Sequence, residues 1–221
     1  MLRATPLVNH AVYHVFNKSI AGYRIFNSNA EYQRMLGCIK HYQSRERTQS
    51  YSKVLKTARI IALPSQPAPL PSRSEPLATI IAFCLMPTHF HLALKQTCTD
   101  GISIFLANLQ NSYTRYFNLR HSRRGPLWVG PFRNVLVERD EQLLHLTRYI
   151  HLNPCSSQLV EHPREWPYSS YKEYLGETSP QDRLCEFQAL LPSLGPPYAQ
   201  FVEDRQSHQR ELHKIKSLLL D

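Results

Sequence analysis

No apolar run in this 221-residue chain approaches the roughly 18 residues that a membrane span requires. The opening residues, MLRATPLVNHAVYHVF, hold no unbroken apolar stretch followed by a small-residue cleavage site, so no secretory leader is expected. Cysteine is scarce. Cys38, Cys84, Cys98, Cys155 and Cys185 are odd in number, and no two stand in a C-x-x-C pair. That spacing argues against a disulfide framework or a zinc knuckle and fits packing residues in a reducing cytoplasm. There is no internal repeat. Acidic residues are missing altogether between Tyr113 and Asn134.

What is present suits a folded, polyanion-binding protein. Hydrophobic residues make up 42% of the chain, enough to bury a core. The 26 basic residues exceed the 17 acidic ones by nine. Such an excess favours nucleic acid first and an anionic membrane surface second.

Periodicity predicts the order of elements. VNHAVYHVF, from Val8 to Phe16, has the partial alternation of a strand, with His10 and His14 as strand-face residues. Asn27, Ser28 and Asn29 are suited to cap a helix in which Tyr32, Met35, Leu36 and Ile39 fall at helical spacing. Residues 44–78 change character, from basic to rich in proline and serine. The proline part reads as a solvated connector, and VLKTARIIAL as a helical turn or a strand. ATIIAFCLMP then reads as a strand buried on both faces. HFHLALKQ follows as its antiparallel partner across the short link at Pro87 and Thr88. A long helix spans about 101–119, with Ile104, Leu106, Leu109, Tyr113 and Tyr116 as its inner face. A basic loop leads to a short strand near 134–138. Asp140 can cap the helix DEQLLHLTRYIHLN, which Pro154 is expected to end. Residues 155–221 contain WPYSSYKEYLG and a final amphipathic helix. The order predicts an α+β fold, a ferredoxin-like antiparallel sheet with helices on one face, plus a helical C-terminal extension.

Within LMPTHFHLAL, alternation along the strand puts His89 and His91 on one face and Phe90 on the other. Their roots are about 7 Å apart, close enough for two ring nitrogens to converge on one divalent cation. A bare His-x-His also occurs as two solvated histidines on an edge strand, so partners are needed. RYIHLNP supplies candidates. Tyr149 and Asn153 are four apart and share a helical face. The Asn153 amide oxygen is a hard donor suited to Mg²⁺ or Mn²⁺. A helix cap at Asn153 and a core aromatic at Tyr149 are the ordinary alternatives.

Taken in order, YHVFNKS, MPTHFHLAL, YTRYFN, GPLWVGPFRN, RYIHLNP and WPYSSY resemble the single-tyrosine, His-hydrophobic-His transposases of the smallest insertion sequences. The similarity is greatest to the REP-associated tyrosine transposases. It runs from about Val8 to Leu175, interrupted by 44–78, and Thr88 stands where that branch usually has asparagine. The resemblance implies a catalytic domain over 1–155 with an insertion at 44–78 and a C-terminal extension over 156–221. It implies that His89 and His91 bind the metal, Mg²⁺ or Mn²⁺, and that Tyr149 is the nucleophile. Asn153 falls where relatives place a third, amide-type ligand; its side chain is one methylene shorter than the glutamine of other branches.

The implied reaction is attack of Tyr149 on a DNA phosphodiester, giving a 5′-phosphotyrosyl intermediate and a free 3′-hydroxyl. The ester conserves the bond for rejoining. The implied substrate is single-stranded or hairpin DNA, REP-like palindromes among the options, met in the cytoplasm at the nucleoid. Phosphates are held by positive charge and unpaired bases by aromatic stacking. Arg115, Tyr116, Arg120, Arg123, Arg124, Trp128 and Arg133 are the candidates for that contact. His145 and His151 are weak candidates for a general base. Two other readings remain: a nucleic-acid-binding regulator without turnover, and a metallo-hydrolase of small phosphate esters. Monomer and homodimer stay equally open.

Overall fold

In the computed structural model, residues 6–45, 49–61, 76–191 and 197–205 are described. Four strands form one antiparallel sheet: β1 Val12–Lys18, β2 Ala78–Met86, β3 His89–Gln96 and β4 Arg133–Val137. Their spatial order is β2-β3-β1-β4. The chain leaves β1 through α1, Asn29–Gln43, and α2, Tyr51–Ile61, before β2; α3, Gly101–Arg120, links β3 to β4. This is the ferredoxin-like arrangement, in which the first strand ends up near the centre of the sheet.

Alternation sets the two faces. On β1, Tyr13, Val15 and Asn17 are buried on one side, while His14 and Phe16 are half-buried on the other. The strand begins at Val12 rather than Val8, because His10 adopts a left-handed turn with φ 66°. On β3, Phe90 and Leu92 face the same side as Tyr13, and His89 and His91 face away from it. The Phe90 side is covered by α3 and, beyond it, α1. Trp128 packs edge-on to Phe90 at 5.4 Å and donates its indole N–H to Thr114 Oγ1 of α3 at 3.1 Å. Tyr113 Oη reaches the Ile25 carbonyl at 2.5 Å.

Helices on one face describe only α1 and α3. A further helix, α4, Asp140–Ser156, lies across the opposite face and brings Tyr149 to His91. It follows β4 directly, so the chain can cross to the uncovered side of the sheet. Nor does Pro154 end α4. It lies within the last turn, where its missing N–H forfeits one bond, and Ser157 N–H still closes on the Asn153 carbonyl at 3.0 Å. The α3 face is also rotated from expectation. Ile104 is 44% exposed, and Ile102, Phe105, Leu106, Leu109, Tyr113 and Phe117 point inward.

The first part of the 44–78 insertion is helical. Tyr51 of α2 rests on α1 at Gly37, where a side chain would take its place, and the Arg34 guanidinium is held between Tyr51 and Tyr116 at 4.6 and 5.1 Å. The proline-rich part lies outside the described residues, as does the final amphipathic helix beyond residue 205. What is described of the latter is α6, Pro197–Glu203. The WPYSSY segment covers the free edge of β2: Leu85 N–H donates to the Tyr168 carbonyl and Ser170 N–H to the Phe83 carbonyl, at 2.9 and 3.0 Å. Trp166 Nε1 donates to the Leu85 carbonyl at 3.0 Å. An open strand edge is thereby blocked. The short helix α5, Tyr171–Tyr174, follows at once.

Candidate active site

His89 and His91 project from β3 toward α4, their rings 5.1 Å apart and perpendicular. His91 is buried and His89 half-buried. The Nδ1 atom of His89 lies 3.0 Å from Thr88 Oγ1. The Nδ1 atom of His91 lies 2.9 Å from Nε2 of His14 on the neighbouring strand. Both bonds use Nδ1, so a cation would be met through Nε2.

From the other side, α4 presents Tyr149. Its ring stands edge-on to His91 at 5.6 Å and to His14 at 5.9 Å. Asn153, one turn further and buried, donates Nδ2–H to the Tyr149 carbonyl at 3.1 Å. It therefore lies inside the helix and does not cap it. Of the residues expected from the sequence, His91 and Tyr149 thus meet between β3 and α4, with His89 beside His91 and Asn153 one turn beyond Tyr149. His14 joins them and was missed. Its only sequence signal was its parity with Phe16 on β1, and nothing local said that β1 would pair with β3.

Burial sets the electrostatics. It pushes the His14 imidazole down to about 4. His91 lies well below the ordinary histidine range, through burial first and then the neighbouring His89 and His14. Both are neutral at pH 7, the form in which imidazole binds metal. The Tyr149 phenol is raised, chiefly by burial, and a hydrogen bond from the Asn153 side chain opposes the rise. Among the described residues no group of three or more His, Cys, Asp or Glu is placed to hold a metal ion. The imidazoles of His89 and His91 and the amide of Asn153 are donor types that would suit a hard divalent cation.

The remaining histidines of α4 are elsewhere. His151 is fully buried on another side of the helix, bonded to Tyr198 Oη at 2.6 Å and Ser170 Oγ at 2.8 Å, and burial lowers it to about 3. His145 is exposed beside Glu141 and Arg148.

The basic residues divide. Arg115, Arg124 and Arg133 are exposed. Arg133 pairs with Phe16, which pairs with His91, so Arg133 shares the sheet face of the site. So does Lys18, opposite His89 and exposed, which the sequence reading passed over. Arg120 is tied to buried Glu31 at 3.3 Å. Arg123 folds back on its own loop, donating to the Pro126 carbonyl at 2.6 Å and Asn118 Oδ1 at 3.0 Å. Tyr116 lies half-buried against Arg34. Trp128 is a core residue, 8% exposed, and is not open to a nucleobase. Its polar N–H found a partner in Thr114 of α3, which a basic loop in sequence could not reveal.

A four-stranded antiparallel sheet in this order, with a histidine pair facing a tyrosine helix, defines the fold class. The same fold is found in a solved structure of a REP-associated tyrosine transposase bound to a REP hairpin. The TM-score is 0.54 at 14% identity, over 85% of this chain and 93% of that one. In sequence, the chain is 29% identical over 113 residues to a Haemophilus influenzae protein named "Putative REP-associated tyrosine transposase". That alignment covers 46% of this chain and 64% of the relative, short of two thirds of its length. No family model matches. The resemblance seen in the sequence motifs is thus met again in a curated relative and in a fold. No helix among the described residues is long and apolar enough to cross a membrane.

Proposed function

We propose that this chain is a DNA strand transferase of the tyrosine transposase kind, acting on single-stranded or hairpin DNA in the cytoplasm. The observation that carries the reading is the approach of the Tyr149 ring to His91, 5.6 Å across the gap between α4 and β3. A phenol, two imidazoles and an amide are an unusual set to collect on one half-buried surface without chemistry to perform.

Tyr149 attacks the scissile phosphorus. The phenol gives up its proton to solvent, a bond forms between its oxygen and phosphorus, the bond to the 3′-oxygen breaks and that oxygen takes up a proton as the free hydroxyl, so the ester energy is kept for rejoining. An ordinary phenol has a pKa near 10, so its deprotonation at neutral pH costs roughly 4 kcal/mol, and burial at Tyr149 adds to that. Asn153 offsets part of this through its hydrogen bond. His89, His91 and Asn153 would hold a divalent cation, Mg²⁺ or Mn²⁺. When bound, it supplies Lewis-acid polarisation of the phosphate and charge stabilisation at the departing oxygen. Lys18 and Arg133 flank the site face and hold the strand by its phosphates. Arg115 and Arg124 extend the contact outward.

The test is a labelled hairpin oligonucleotide incubated with protein and Mg²⁺ or Mn²⁺, resolved on a denaturing gel. A covalent adduct is expected. Tyr149→Phe removes it and leaves hairpin affinity within about threefold. A chelator removes the adduct as well. An adduct that survives Tyr149→Phe would assign the nucleophile elsewhere. Hairpin binding with no adduct under any condition would favour the silent regulator.

A further inference from the structure

His14 lies on β1, 77 residues before His91, and the bond between its Nε2 and Nδ1 of His91 is 2.9 Å long. At that separation one nitrogen carries the hydrogen and the other offers its lone pair. The two rings are stacked at 5.1 Å and 23°. Phe16 packs against both, at 5.0 and 5.8 Å. Tyr149 closes the other approach to His14 at 5.9 Å. The strand register fixes the backbone beneath all three β-strand residues. Neither imidazole can turn without breaking these contacts.

We propose that His14 is a positioning residue for the cation site: it accepts the Nδ1 hydrogen of His91 and so presents the Nε2 lone pair of His91 to a divalent ion. This rests on the reading of His91 as a ligand. His14 is not a ligand itself, because its Nε2 lone pair is committed to His91. Thr88 Oγ1 stands in the same relation to Nδ1 of His89, at 3.0 Å. Both candidate ligands are thus held through Nδ1. Histidines that bind metals commonly give this second hydrogen to a carboxylate or a carbonyl, and losing that partner typically lowers metal affinity about 10–100-fold. A neutral imidazole in the role adds no negative charge. An ion held here would keep its full positive charge for a bound phosphate.

Two measurements test this. In protein labelled with ¹⁵N-histidine, long-range proton–nitrogen spectra report the tautomer of His91 without any metal or substitution. The expected form carries its hydrogen on Nδ1; a hydrogen on Nε2 overturns the proposal. Mn²⁺ titration followed by electron paramagnetic resonance then compares His14→Gln with His14→Leu. Glutamine places an acceptor where Nε2 stood and should keep Mn²⁺ affinity within about threefold, whereas leucine should lose about 10–100-fold. Equal affinity in the leucine variant, or equal loss in both with His91 still hydrogen-bearing at Nδ1, overturns the positioning role. If the unsubstituted protein binds no Mn²⁺, the ligand reading of His89 and His91 fails, and the tautomer spectrum still decides the part assigned to His14.

Discussion

His151 and Tyr198 meet at 2.6 Å in the interior, 47 residues apart, and their bond ties α4 to α6. Ser170 Oγ completes the imidazole at 2.8 Å and also accepts the Phe83 N–H at 2.9 Å, so one histidine links α4, α6, the WPYSSY segment and β2. Arg148 adds to the same seam, donating to the Phe201 carbonyl at 3.3 Å.

This buried histidine makes stability depend on pH. Its folded value of about 3 lies below the unfolded 6.5. Between those values the unfolded chain takes up a proton that the folded chain refuses. The contribution is therefore full above pH 6.5 and is lost progressively as pH falls toward about 3. Within that window stability should drop by about 1.4 kcal/mol per pH unit for this one group. Urea unfolding at a series of pH values measures the slope. His151→Gln should lower stability at pH 7 and make the slope shallower by nearly one proton.

Asn153 is expected to matter to chemistry beyond its packing. Asn153→Ala removes a bond to the Tyr149 carbonyl at 3.1 Å and the amide beside the phenol. Adduct formation should slow at least about tenfold, while hairpin affinity changes less than about threefold. Asn153→Asp supplies a harder, charged oxygen. It should retain Mn²⁺ binding better than alanine does, as paramagnetic resonance would show.

The basic residues should separate by a salt titration of hairpin binding. Lys18→Ala and Arg133→Ala each remove one exposed cation on the site face, and each should lower the slope of log affinity against log salt by about 1. Arg123→Ala loses contacts to its own loop and should alter that slope less. Trp128→Ala should leave the slope unchanged and cost about 3–5 kcal/mol of stability, as an emptied core site does.

Gly101 opens α3 where β2 begins. A Cβ at this position would collide with the backbone carbonyl oxygen of Leu77, which cannot swing aside as a side-chain tip can. Gly101→Ala should therefore destabilise by about 1–3 kcal/mol despite alanine's better helix propensity. Thermal melts of the two proteins give the comparison.

Much of this was legible in the sequence because short-range patterns carried it. Alternation in HFHLALKQ put both histidines on one face, and the four-residue spacing of Tyr149 and Asn153 put them on one side of α4. The element order was enough to suggest the ferredoxin-like sheet. What escaped depended on partners distant in the chain. His14 gained its place only when β1 paired with β3. Trp128 was absorbed into the core by Thr114. The crossing of α4 to the bare side of the sheet left no local mark, and Pro154 sat late enough in its helix to be tolerated. Gly37 and Arg34 prepared a seat for α2, where composition left a helical turn and a strand both open.

The central placement of β1 has a consequence for synthesis on the ribosome. This strand is made first, but its two neighbours emerge much later, at His89–Gln96 and Arg133–Val137. Closing such long loops is slow compared with local helix formation. The nascent chain must hold β1 unpaired until β3 has left the exit tunnel. A truncated product ending before α4 therefore carries His89 and His91 without Tyr149.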